Sequence, residues 1–211
     1  MHREVDNSAG KRSRGRTRIS LQALALICAS LFGSVGCRPV CAQGTAEEYE
    51  VKAAFLFHFA QLVEWPAGAL NASDQSINLC IFDNEPRRRE LQNTIEGKPV
   101  GVRVLHVRML DQQQNIQGCN ILFLSRDEGR RQVAILRSVR GLPILTVGET
   151  NEFLADGGII HFQLDGDKIR FDINASAADS SRLKISSRLL LLASSVTLSD
   201  GTDRGRSTYA H

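Results

Sequence analysis

Four short apolar runs constrain the fold more than any other feature of this sequence: residues 77–82 (INLCIF), 100–107 (VGVRVLHV), 120–124 (NILFL) and 142–147 (LPILTV). Each is bounded by polar or Gly- and Pro-containing stretches and is too short for a core helix, so each predicts a strand. Residues 120–124 lack alternation, which predicts a strand covered on both faces. Residues 100–107 alternate, with Val100, Val102, Val104 and His106 on one side.

Helical spacing fills the intervals. Residues 46–64 place Ala53, Ala54, Leu56, Phe57, Ala60, Leu62 and Val63 on a broad apolar face, with Thr45 and Glu48 spaced as a capping box and Trp65-Pro66 as the stop. Asp83-Asn84-Glu85-Pro86 predicts a turn into a helix that carries Arg87 to Glu90 and closes at Gly97. Ser125 and Glu128 predict a capped helix over 127–139, closed by Gly141. This order argues a layered α/β/α fold with a mostly parallel sheet.

The carboxyl third departs from that rhythm. Residues 159–164 and 168–173 flank Asp165-Gly166-Asp167, which predicts an antiparallel hairpin and a mixed sheet. Helical stretches at 175–181 and 186–196 follow, the second capped by Ser186 and burying Leu189, Leu190, Leu192, Ala193 and Val196. Residues 199–211 read as a flexible polar tail.

The amino terminus reads as an export signal. Arg3, Lys11, Arg12, Arg14, Arg16 and Arg18 precede an apolar stretch at 19–35 that Gln22 and Ser30 interrupt. A basic region, a short apolar region and small residues make a secretory signal; the stretch is a poor membrane span. Val40-Cys41-Ala42 offers cleavage before Gln43, and Ser34-Val35-Gly36-Cys37 resembles a lipobox that would lipidate Cys37. The expected organisation is a signal peptide at 1–42, a domain at 43–198 and the tail. Removal of residues 1–42 leaves 19 basic and 21 acidic residues, a net charge of −2, and no footprint for nucleic acid. It also leaves two cysteines, Cys80 and Cys119. An oxidising compartment permits a disulfide between them, and a strand order placing 77–82 beside 120–124 lets the sulfurs meet; two buried thiols are the alternative.

The residues carry no evident catalytic apparatus. No glycine-rich phosphate cradle follows a strand, and no G-x-S-x-G elbow lies beyond residue 42. His58, His106 and His161 lack metal-ligand spacing and read as packed or surface residues. Ser125 reads as a cap, Asp165 and Asp167 as a hairpin tip, Glu149 and Glu152 as flanks of a polar loop, and Gly157-Gly158 as a turn. Arg87 to Arg89 read as a solvated helix face. No cofactor or metal is expected, and a binding or regulatory module fits better than an enzyme.

Two stretches carry a resemblance. Residues 48–66 (EYEVKAAFLFHFAQLVEWP) and 153–193 (FLADGGIIHFQLDGDKIRFDINASAADSSRLKISSRLLLLA) resemble the opening and closing signatures of the YfiR family. Residues 118–125 and 144–147 fit its middle. The resemblance implies a periplasmic repressor that binds the periplasmic sensor domain of a membrane-bound diguanylate cyclase and lowers cyclic di-GMP output, with consequences for biofilm. It also implies a homodimer, and relief by redox state or an outer-membrane lipoprotein. Cys80 and Cys119 sit where the family carries one cysteine pair; residues 145–156 hold no cysteine, so a second pair is absent. Such a repressor needs a surface rather than an active site. Candidates are Phe55, Phe59 and Trp65 around the first helix and Leu183, Ile185 and Leu191 around the last, against a plain packing role for each. The alternative is a periplasmic small-ligand-binding module reporting to another receptor, with its site near Asp83, Asn84 and Ser125.

Overall fold

The apolar runs become the centre of one sheet. The computed structural model describes residues 43–70, 75–82, 88–110 and 116–198. Its elements are α1 (Gln43–Leu62), β1 (Val63–Glu64), β2 (Ser76–Phe82), α2 (Arg88–Ile95), β3 (Pro99–Val100), β4 (Arg103–Leu110), β5 (Ile121–Leu124), a 3-10 turn (Arg126–Glu128), α3 (Gly129–Ser138), β6 (Leu145–Gly148), β7 (Ile160–Asp165), β8 (Lys168–Asn174), α4 (Ala175–Ser180), β9 (Lys184–Ile185), α5 (Ser187–Leu192) and β10 (Ser195–Thr197). Eight strands form a sheet in the order β10-β8-β7-β6-β5-β2-β4-β3; β1 and β9 make a separate antiparallel pair. The neighbours from β4 to β7 are parallel, and β7–β8 and β3–β4 are antiparallel. The mixed, mostly parallel α/β sheet is thus as the sequence predicts.

Alternation sorts the strands into two cores. Leu79, Ile81, Ile121 and Phe123 join residues of α1, α2, α4 and α5 on one face. Cys80, Phe82, Leu122 and Leu124 join Ile135 and Leu136 of α3 on the other. Every residue of β5 is buried, as a strand covered on both faces requires. Phe59 of α1 anchors the first core, its ring centroid 5.1 Å from Phe171 and 5.6 Å from Phe162.

The structure corrects several local expectations. The first helix starts at Gln43, so Thr45 lies inside it and cannot be its cap. Residues 100–107 are not one strand: Gly101, at φ +61°, turns the chain between Val100 and Arg103, and Val102 stands 94% exposed at the tip. The β7–β8 hairpin closes through Gly166 and Asp167 alone, because Asp165 pairs with Lys168. The last helix ends at Leu192, and Ser195–Thr197 become an edge strand parallel to β8. Only Leu189 of its expected apolar face is fully buried; Leu192 and Val196 are exposed. The signal segment, the tail, Asp83, Asn84 and Arg87 lie outside the described residues.

Gly158 serves a close approach as well as a turn. A Cβ there, or at Gly148, would lie 2.2 Å from the Phe153 ring. The ring is therefore seated against both backbones on the α3 side of the sheet.

Candidate functional site

Parallel strands in an open α/β sheet deliver side chains to the crevice at their carboxyl ends. Here Ser125 follows the end of β5 and Glu149 the end of β6. Lys52 of α1 reaches the same place. Its position follows from spacing: Tyr49, Lys52, Ala53, Leu56 and Phe59 share the inward side of the helix, and all are buried. An ammonium so placed needs carboxylate partners. Lys52 Nζ contacts Glu48 Oε1 one turn earlier and lies 2.5 Å from Glu149 Oε1. The Tyr49 ring centroid is 4.9 Å from the same nitrogen.

Glu149 Oε2 accepts the backbone N–H of Arg126 at 3.1 Å. That carboxylate satisfies the turn after β5, the task the sequence assigns to Ser125. The Ser125 hydroxyl makes no cap bond; it is buried with no hydrogen-bond partner. Glu128 pairs with Arg131 instead of closing a capping box. Gln132 bridges the next shell: its Nε2 donates to Asp156 Oδ2 at 2.7 Å, and its Oε1 accepts from Thr150 Oγ1 at 2.6 Å.

These groups bind one another. The Glu149 carboxylate lies between the Lys52 ammonium and the Arg126 amide. The cluster braces α1 against the carboxyl ends of β5 and β6. Among the described residues, no group of three or more His, Cys, Asp or Glu is placed to hold a metal ion.

A second polar cluster lies across β7 and β8. His161 and Asp172 are cross-strand partners, with Nδ1 3.7 Å from Oδ2. Ser195 of β10 donates to the other oxygen, Asp172 Oδ1, at 2.7 Å. Asp172 is central and Ser195 does not meet His161, so the order is not that of a nucleophile activated by a base. His58 meets Gln61, and His106 meets Glu96, both at the surface.

Cys80 and Cys119 are disulfide-bonded, with Cα atoms 5.7 Å apart. The bond needs β2 and β5 to be neighbours, which they are. The six surface candidates separate. Phe59 and Leu183 are 0% and 1% exposed and fill the core. Phe55, Trp65 and Ile185 are half-buried, packed at the core's rim. Leu191 is 86% exposed on α5. Phe55, His58 and Leu62 line a groove of about 340 Å³ together with Arg188 and Leu192.

Sequence reasoning passed over Lys52 and read Glu149 as a loop residue. A signal for Lys52 was present: a lysine at core spacing, one turn after a glutamate. The pairing with Glu149 spans 97 positions and has no local signal.

Comparison with known proteins gives a family. The profile of the YfiR/HmsC-like family matches residues 49–194. Comparison with curated proteins gives no match. Among solved structures, a conserved domain protein from Vibrio cholerae O1 biovar eltor is similar at a TM-score of 0.45 and 10% identity, covering 71% of this chain. This chain spans 60% of that protein's length.

Proposed function

We propose, because the chain belongs to the YfiR/HmsC-like family, that it is an exported, non-catalytic regulator of a membrane signalling protein. The family match over residues 49–194 carries the reading. In its finer form, the chain binds the periplasmic sensor domain of a membrane-bound diguanylate cyclase and lowers cyclic di-GMP output, acting as a homodimer.

An inhibitor of this kind works by binding one conformational state of its partner more tightly than the other. A tenfold preference changes the partner's equilibrium by about 1.4 kcal/mol. The outer side of α1 suits such contact. Val51 is 39% exposed there, and the groove beside Phe55, His58 and Leu62 can receive one apolar side chain.

The test is deletion of the gene with measurement of cyclic di-GMP. The level should rise, and adhesion with it; an unchanged level sinks the cyclase reading. Pull-down from the cell's own membranes, with and without reductant, then identifies the partner.

The buried, unpartnered hydroxyl of Ser125 favours a second reading, a small-ligand site at the carboxyl end of the sheet. A ligand bound only by the folded chain raises its melting temperature. A screen of small polar metabolites that raises it nowhere removes this reading.

A further inference from the structure

The domain's charge is unevenly placed. Between Asp179 and Asp200 the sequence carries Arg182, Lys184 and Arg188 and no carboxylate, although residues 43–211 together are net negative. All three cations are exposed. Among the described residues none of them has an ion-pair partner; Glu64 stands opposite Lys184 in the β1–β9 register without pairing to it.

Large exposed apolar side chains follow these cations in the chain. Leu191, Leu192 and Leu198 are 86%, 62% and 71% exposed. Arg188 precedes Leu191 and Leu192 by three and four positions, so one side of α5 presents a guanidinium above two leucines. Buried helices turn leucine inward; this one, with only Leu189 fully buried, turns two outward.

We propose that this end of the domain, from β9 through α5 to Leu198, rests on an anionic lipid surface. The leucines enter the boundary between headgroups and acyl chains, and the cations stay at headgroup level. Charge complementarity selects the occupant. Residues 126–140 are also basic, with five arginines against Asp127 and Glu128, but the large apolar residues near them, Val133 and Leu142, are less than half exposed; among the described residues only this end joins exposed cations to leucines exposed by more than half. The contact is weak and orienting, because three leucines bury little area and each cation contributes about fivefold in affinity. It would hold a small regulator at the membrane in one orientation.

The test is co-sedimentation of the exported chain, recovered from the periplasmic fraction, with vesicles of phosphatidylethanolamine and phosphatidylglycerol and with vesicles of phosphatidylcholine alone. Binding is expected on the first and not on the second, falling as salt rises. The variant R182N/K184Q/R188Q should bind about a hundredfold less. Asn suits position 182, whose φ is +58°. The variant L191S/L192S, with every charge kept, should also lose binding, and both variants should melt with the parent. Equal binding to the two vesicle types overturns the proposal, as does an unchanged triple variant. If vesicles bind nothing while a captured sensor domain is released by the triple variant, the face belongs to a protein and the lipid assignment fails.

Discussion

Lys52 Nζ lies 2.5 Å from Glu149 Oε1, joining the first helix to the carboxyl end of β6 through two side chains that are each about 5% exposed or less. Replacing Lys52 with Met leaves Glu149 buried without its counter-ion. The expected loss is about 3–5 kcal/mol, the range for breaking one side of a buried pair. K52M/E149Q should recover part of it, because Gln removes the stranded charge and keeps an acceptor for the Arg126 amide. Urea denaturation of the four proteins of this cycle measures the coupling. Additive losses would mean that the two groups do not stabilise each other.

Phe153 is seated on Gly148 and Gly158, where an added Cβ would come within 2.2 Å of its ring. Gly158→Ala and Gly148→Ala are each expected to destabilise by about 3 kcal/mol, the upper part of the range for overpacking. Phe153→Leu in either background should offset part of that loss by vacating space. A thermal melt of Gly158→Ala that matches the parent would contradict the tight seating.

The layers were legible in the sequence because strand period and helix period are local signals. The apolar run of residues 120–124 reported its central position through its lack of alternation, and the hairpin reported itself through Asp165-Gly166-Asp167. What was not legible depends on distant partners. The turn at Gly101 breaks a stretch that alternates well enough for one strand, since a glycine is compatible with either outcome. Ser125 has the spacing of a cap, yet Glu149 arrives from another strand and satisfies the turn amide. The last helix stops early because residues 195–197 pair with β8, a gain that no property of those three residues announces. For the candidate surface, apolar type alone could not separate Phe59, which the aromatic cluster buries, from Leu191, which nothing covers.

The Cys80–Cys119 bond closes a loop of 39 positions between neighbouring strands. Chain-entropy reasoning puts its contribution at about 4 kcal/mol. Reduction, or the C80A/C119A variant, should therefore lower the melting temperature by roughly 8–16 °C for a domain of this size. The α1 side of the fold lies on the opposite face of the sheet from both cysteines, so the reduced chain should keep its far-ultraviolet circular dichroism at 25 °C. A reduced melt that coincides with the oxidised one would assign the bond no stabilising role.

Phe59 and the outer side of α1 give opposite outcomes in one assay pair, and that contrast separates folding from recognition. Phe59→Ala removes a fully buried ring that contacts Phe162 and Phe171 and should cost about 3–5 kcal/mol. Any rise in cyclic di-GMP it causes follows from loss of the folded chain. Val51 and His58 are exposed on the same helix, so V51E/H58E should change stability by no more than about 0.5 kcal/mol per substitution. If the outer side of α1 meets the sensor domain, this variant accumulates and melts with the parent yet no longer lowers cyclic di-GMP. A buried carboxylate at either position would have to shed its hydration against an apolar partner, which weakens binding without touching the core. Full repression by V51E/H58E would move the contact surface away from α1.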